Sequence, residues 1–112
     1  MKTATREFSD DQEKRVARIL GGKVQIGSGS TPYFKGDVVA DNYLFECKTK
    51  TKVSKTHSIQ KAWFEKAKKQ AFETGLEGSF LVFDFGDGED YVSMDIHTFM
   101  NMFEVYLKSM EE

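Results

Sequence analysis

The sequence predicts a single-domain α/β protein with a mixed β-sheet flanked by helices. Three observations carry that expectation. The chain has 112 residues, enough for one hydrophobic core and not for two. Helical periodicity recurs over residues 9–20, 57–73 and 95–110. The intervening segments hold short apolar runs bounded by Gly, Asn and Asp, the pattern of strands joined by tight turns.

In chain order, residues 1–8 read as a flexible N-terminal arm, and 9–112 as the domain. Ser9-Asp10-Asp11-Gln12 is a capping-box pattern, and its acids suit the positive end of a helix. Val16, Ile19 and Leu20 make the apolar stripe, and Gly21-Gly22 ends it. Glu13 lies one turn before Val16 and Ala17, on or near the core-facing side. It is either a solvated neighbour of Lys14 and Arg18 or a carboxylate aimed at a site. Lys23-Val24-Gln25-Ile26 reads as a short strand, followed by the loop Gly27-Ser28-Gly29-Ser30-Thr31-Pro32. Such a loop offers backbone N–H groups and hydroxyls to a phosphate, although the same composition also serves as a plain connector.

Thr49 to Thr56 is polar and basic, and is expected to extend a strand and then loop. His57-Ser58-Ile59-Gln60 leads into a helix that runs to about Glu73, with Ile59, Trp63, Ala67 and Ala71 as its core stripe and Phe64 and Phe72 flanking. Trp63 reads as packing and His57 as a surface residue. Gly75 to Gly78 ends the helix, Phe80-Leu81-Val82-Phe83 is a buried strand, and Gly86-Asp87-Gly88 turns into a strand over 90–94. Asp95 caps a last helix. Its apolar residues exceed one narrow stripe, and suit either a subunit interface or plain core packing.

The chemistry is expected between Gly36 and Lys48. Val38-Val39-Ala40 and Tyr43-Leu44-Phe45 suit two strands, and Asp41-Asn42 is a two-residue hairpin turn. If Ala40 faces Tyr43, Asp37 faces Glu46, with Cβ atoms roughly 4.5–5.5 Å apart. Glu46 and Lys48 share a face, because side chains alternate along a strand. Two carboxylates and an ammonium then converge. Opposed like charges are destabilising unless something neutralises them, and oxygen ligands suit a hard cation such as Mg2+. The bland alternative is a hairpin with three solvated charges.

Asp37 followed by Glu46-Cys47-Lys48 resembles the signature of the PD-(D/E)XK nuclease superfamily, with Gly36 where a proline is usual. Glu13 to Leu20 resembles the first helix of archaeal-type Holliday junction resolvases, and Gly27 to Ser30 their glycine-serine loop. Compact enzymes of this kind also occur in phages. The resemblance spans roughly residues 9–75. It implies a restriction-endonuclease-like sheet and a homodimer that nicks a four-way DNA junction symmetrically, for recombination and repair. It implies that Asp37, Glu46, the Cys47 carbonyl and Glu13 hold Mg2+, with Mn2+ as a substitute. Lys48 is then catalytic, Ser28 or Ser30 takes the loop serine's role, with Ser30 preferred for cleavage, and Gln60 orients water or phosphate. The rival expectations are another structure-specific or nicking DNase of the same fold, and a non-catalytic DNA-binding accessory protein.

Charge distribution bears on the partner. The net charge is -2, which taken globally opposes nucleic-acid binding. Locally, Lys48, Lys50, Lys52, Lys55, Lys61, Lys66, Lys68 and Lys69 cluster with Glu65 as the lone acid among them. Of these, Lys50, Lys52, Lys55, Lys61, Lys68 and Lys69, together with Ser28, are the expected DNA contacts, although a lysine run is as often a solvated helix face. From Glu77 onward the chain is acidic. No run approaches the ~20 apolar residues of a membrane span, and the first residues lack the apolar segment of a signal peptide. The single cysteine, Cys47, excludes an internal disulfide and suits a reducing, cytoplasmic setting. Cys47 itself reads as a small buried hydrophobe. No organic cofactor is expected.

Overall fold

The computed structural model describes residues 4–25 and 37–111. Helix α1 spans Ala4–Leu20, β1 Lys23–Val24, β2 Val38–Ala40 and β3 Tyr43–Lys48. These are followed by α2 (Lys61–Glu73), β4 (Gly78–Phe83), β5 (Tyr91–Ser93) and α3 (Ile96–Met110). The five strands form one sheet in the order β1-β2-β3-β4-β5. Only β3 and β4 pair in parallel, across the α2 crossover; the other neighbours are antiparallel. The sheet is therefore mixed, and the chain is an α/β domain.

The two faces of the sheet carry two cores. On one, Val38, Ala40, Phe45, Phe80 and Val82 pack against Val16 and Ala17 of α1. On the other, fully buried Leu44 packs against Ala67 and Ala71 of α2. Alanines at these positions let α2 approach the sheet closely. Burying a leucine such as Leu44 contributes about 1.5–3 kcal/mol. The end of α1 is pressed equally close: a Cβ on Gly22 would stand 2.6 Å from the Val39 carbonyl oxygen, so only glycine fits there.

Several expectations on the elements are corrected. Helix α1 begins at Ala4 rather than at Ser9, so residues 4–8 belong to the helix and not to an arm. Ala4, Arg6 and Glu7 are good helix formers, and once they are helical the amides after Ser9 bond to the preceding turn and need no cap. Helix α2 begins at Lys61, and the strand ahead of it stops at Lys48. Ile59 precedes the helix and is 38% exposed, while Phe72 is 86% exposed. Gln70 is buried in their place. At 100° per residue, Phe72 turns away from the face defined by Ala67 and Ala71 and Gln70 turns towards it. Ile26, the end of the expected first strand, lies outside the described residues. No described helix is long and apolar enough to cross a membrane.

The hairpin turn is as expected. Asp41 (φ 50°) and Asn42 (φ 68°) are both left-handed, as a two-residue type I′ turn requires. We predict that Asn42→Gly leaves stability unchanged or raises it. Asn42→Val, which forces a β-branched residue into that region, should cost about 1–2 kcal/mol in urea unfolding.

Candidate active site

The β2–β3 hairpin pairs Ala40 with Tyr43, Val39 with Leu44 and Val38 with Phe45. One step further out, Asp37 stands opposite Glu46. Both belong to the α2 side of the sheet, as do Val39 and Leu44. Asp37 is 5% and Glu46 7% exposed. Two buried carboxylates in this arrangement repel and lose hydration, so each must gain a partner. Gln70 of α2 donates from Nε2 to Asp37 Oδ2 at 3.0 Å. Lys48 Nζ lies 3.4 Å from Glu46 Oε1. The same ammonium sits 4.8 Å from the centroid of the Trp63 ring, also on α2. Because the Lys48 side chain keeps 29% of its exposure, the ion pair is worth no more than about 1 kcal/mol. Its larger effect is to hold the ammonium at one place beside the carboxylates.

The opposite face of β3 is braced by α1. Gln12, almost fully buried, donates to the Lys48 carbonyl at 2.8 Å. Arg15 bonds Asp90 through Nε at 2.6 Å and Asp84 through Nη2 at 2.9 Å. These carboxylates, Asp90 first, raise the guanidinium's pKa above its ordinary value. Asp84 also accepts from the Thr49 hydroxyl at 2.6 Å and the Gly86 amide at 3.1 Å. Its carbonyl accepts from His57 Nδ1 at 2.6 Å. The loops leaving β3 and β4 are thereby tied to each other and to α1. Gly86, at φ 81°, is where they touch: a Cβ there would meet the Lys52 carbonyl oxygen at 2.5 Å.

Cys47 faces α1. Burial pushes its thiol pKa up, and the surrounding carboxylates push it further, in the order Glu13, Asp37, Asp90 and Glu46.

The expected residues divide as follows. Asp37, Glu46 and Lys48 come together. Glu13 is buried at 6% exposure on α1, which packs on the face of the sheet opposite Asp37 and Glu46. Gln60 is an exposed N-cap residue whose side chain makes no capping bond; Gln70, not Gln60, reaches Asp37. Ser28 and Ser30 lie outside the described residues. Lys50 is half-buried and bonds the Thr56 carbonyl, while Lys52, Lys55, Lys61, Lys68 and Lys69 are exposed. His57 is half-buried, its ring packed edge-on against Trp63, Phe83 and Phe85. Cys47 is half-buried, against the apolar core of that face.

Gln12, Arg15, Gln70, Asp84 and Asp90 were not anticipated. A signal existed for two of them, since Gln12 and Gln70 are polar residues set in the apolar stripes of their helices. Asp37 and Glu46 offer carboxylate oxygens, the donor type that suits a hard cation. Among the described residues, no three His, Cys, Asp or Glu side chains stand close enough to hold a metal ion by themselves. Comparison of the chain with protein families, with characterised proteins and with solved structures finds no match.

The buried thiol gives a pH prediction. An unfolded chain releases the Cys47 proton near the ordinary value of 9.0, and the folded chain holds it to higher pH. The unfolded state then binds fewer protons, so stability falls as pH rises above that value, by at most about 1.4 kcal/mol per pH unit. Urea unfolding at about pH 8 and about pH 10 should show a larger loss in wild type than in Cys47→Ala. Native wild type should also resist alkylation at about pH 8 until denatured.

Proposed function

We propose that the chain is a metal-dependent DNA endonuclease that hydrolyses phosphodiester bonds, with a four-way junction as its preferred substrate. The observation that carries this reading is the facing pair Asp37 and Glu46, both more than nine-tenths buried, with Lys48 Nζ 3.4 Å from Glu46. Burying two carboxylates side by side is costly, and such pairs are concentrated at functional sites. The pattern Asp37…Glu46-Cys47-Lys48 is the part of the sequence that resembles PD-(D/E)XK nucleases, and it supports the same reading.

In this proposal Asp37, Glu46 and the Cys47 carbonyl would hold Mg2+ or Mn2+, while Glu13, on the α1 side of the sheet, stands outside that set. When bound, the metal lowers the pKa of a water molecule and neutralises charge on the scissile phosphate. The remaining work belongs to the chain. Gln70 fixes the orientation of Asp37 through its amide. Gln12 fixes the strand end through the Lys48 carbonyl. Lys48, held between Glu46 and the Trp63 ring, places a positive charge where negative charge develops on the phosphate. Exposed Lys52, Lys55, Lys61, Lys68 and Lys69 contact the DNA backbone, which positions the duplex without reading its sequence. Two copies acting together produce paired nicks of opposite strands.

The test is cleavage of a labelled four-way junction with Mg2+, beside linear duplex, flap and single-stranded DNA. Paired symmetric nicks confined to the junction are expected. Lys48→Ala and Asp37→Asn should lower the rate by about two orders of magnitude or more while the fold persists. Equal cutting of every substrate would remove the junction preference and keep the nuclease. No cutting of any substrate would overturn the proposal.

A further inference from the structure

Helix α3 stands off from the rest of the domain. No other described helix or strand comes within 8 Å of it, Cα to Cα, and none of its residues is buried. Between its first half and the α1 side of the sheet lies a cavity of about 450 Å3. Close-packed interiors leave few voids larger than a water molecule, whereas small-molecule sites enclose roughly 300–1,000 Å3. By size the space is of the second kind.

Its lining has a definite chemistry. The floor is aromatic: the Phe80 ring lies 5.4 Å from that of Tyr43 and 5.1 Å from that of Phe45, centroid to centroid, so the rings form one continuous surface. Tyr43 is pressed over β4, where a Cβ at Gly78 would stand 3.2 Å from its ring. The faces of such rings carry partial negative charge and attract cations. The opposite wall is α3, with Thr98, Asn101 and Met102 at intervals that put them on one side of the helix. The rim is acidic. The Glu77 amide donates to the Asn42 carbonyl at 2.8 Å, and Tyr43 pairs with Gly78, so the hairpin turn and the loop before β4 lie side by side. Asp41 and Glu77 therefore come to the same end of the cavity, and both are exposed. No Lys, Arg or His stands among the described residues that line it.

We propose that this cavity binds a small organic cation, an ammonium group carried on an apolar body. The body fills the slot between Met102 and the three rings, where removal of apolar surface from water drives binding. The ammonium lies towards Asp41 and Glu77, over the aromatic floor, and the Asn101 side-chain carbonyl is an acceptor within the same space. Charge selects this class over the others. An anion would meet two carboxylates and no base, and a neutral apolar molecule would leave both carboxylates without a partner. Once bound, the molecule bridges α3 and the sheet, a contact that the chain by itself does not make. None of Asp37, Glu46, Lys48 and Gln70 lines the cavity, so this proposal and the nuclease reading can fail separately.

Backbone-amide NMR of the full chain tests the proposal with molecules of one skeleton: phenylbutylamine, which is protonated at neutral pH, phenylbutanol and phenylbutyrate. The amine is expected to bind saturably, with a Kd of about 1 mM or tighter, and to shift the amides of Gly78, Thr98 and Asn101. The alcohol should bind about tenfold more weakly, and the carboxylate more weakly still. Asp41→Asn and Glu77→Gln should each lower the amine's affinity about threefold. Asparagine tolerates the left-handed backbone at position 41, so the first variant keeps the hairpin. Asn101→Trp, at an exposed position, fills the slot and should abolish binding while its spectrum stays that of a folded chain. Absence of saturable binding by the amine, equal affinity for amine and alcohol, or an affinity unchanged in both carboxylate variants would each overturn the proposal. Shifts confined to residues away from β4 and α3 would overturn it as well.

Discussion

Asp37 and Glu46 face one another across a two-residue turn, both withdrawn from water, and the elements around them follow from accommodating that pair. A carboxylate in such a place needs donors, and the chain brings them from two directions. Along β3 it is Lys48, two residues on and therefore on the same face. Across the layer it is Gln70, which reaches Asp37 only because α2 lies close to the sheet. That closeness depends in turn on small residues: Ala67 and Ala71 allow the helix to settle on Leu44. Trp63, one turn before Ala67, then becomes the platform under the Lys48 ammonium.

The other face supplies rigidity. Arg15, Asp84, Asp90, Thr49 and His57 join α1 to the loops after β3 and β4 by charge-assisted and backbone bonds. Ion pairs of this kind contribute little net stability when half-exposed, but removing one partner leaves the others uncompensated. Their geometric consequence is clearer. The strand end that carries Glu46 and Lys48 is held by Gln12 from behind and Trp63 from in front, so the candidate site rests on a fixed scaffold.

Much of this was readable from local pattern. The hairpin register followed from Asp41-Asn42, because a two-residue turn leaves only one pairing of the arms, and the opposition of Asp37 and Glu46 came with it. Asp95 could be recognised as a cap, and it accepts from the Thr98 amide. What escaped was set by tertiary context. Ser9 carries a sound capping pattern, yet the residues before it are helical and make the cap redundant. Phe72 looks like core by type, while Gln70 is the residue that turns inward, and only the docking angle of α2 decides between them. His57 was read as a surface residue for lack of a local partner; its partners, Asp84 and three aromatic rings, are brought from elsewhere in the chain. The arginine–aspartate network joins residues some seventy positions apart, which no spacing rule reaches.

The role proposed for the Asp37–Glu46 pair is to hold a divalent cation. Calorimetric titration of Mn2+ and Mg2+ into the free protein tests it without DNA. The account predicts saturable binding to wild type, weakened about tenfold or more in Asp37→Asn and in Glu46→Gln, and unchanged in Gln60→Ala. Equal binding to wild type and Asp37→Asn, or no binding to any of them, would contradict it.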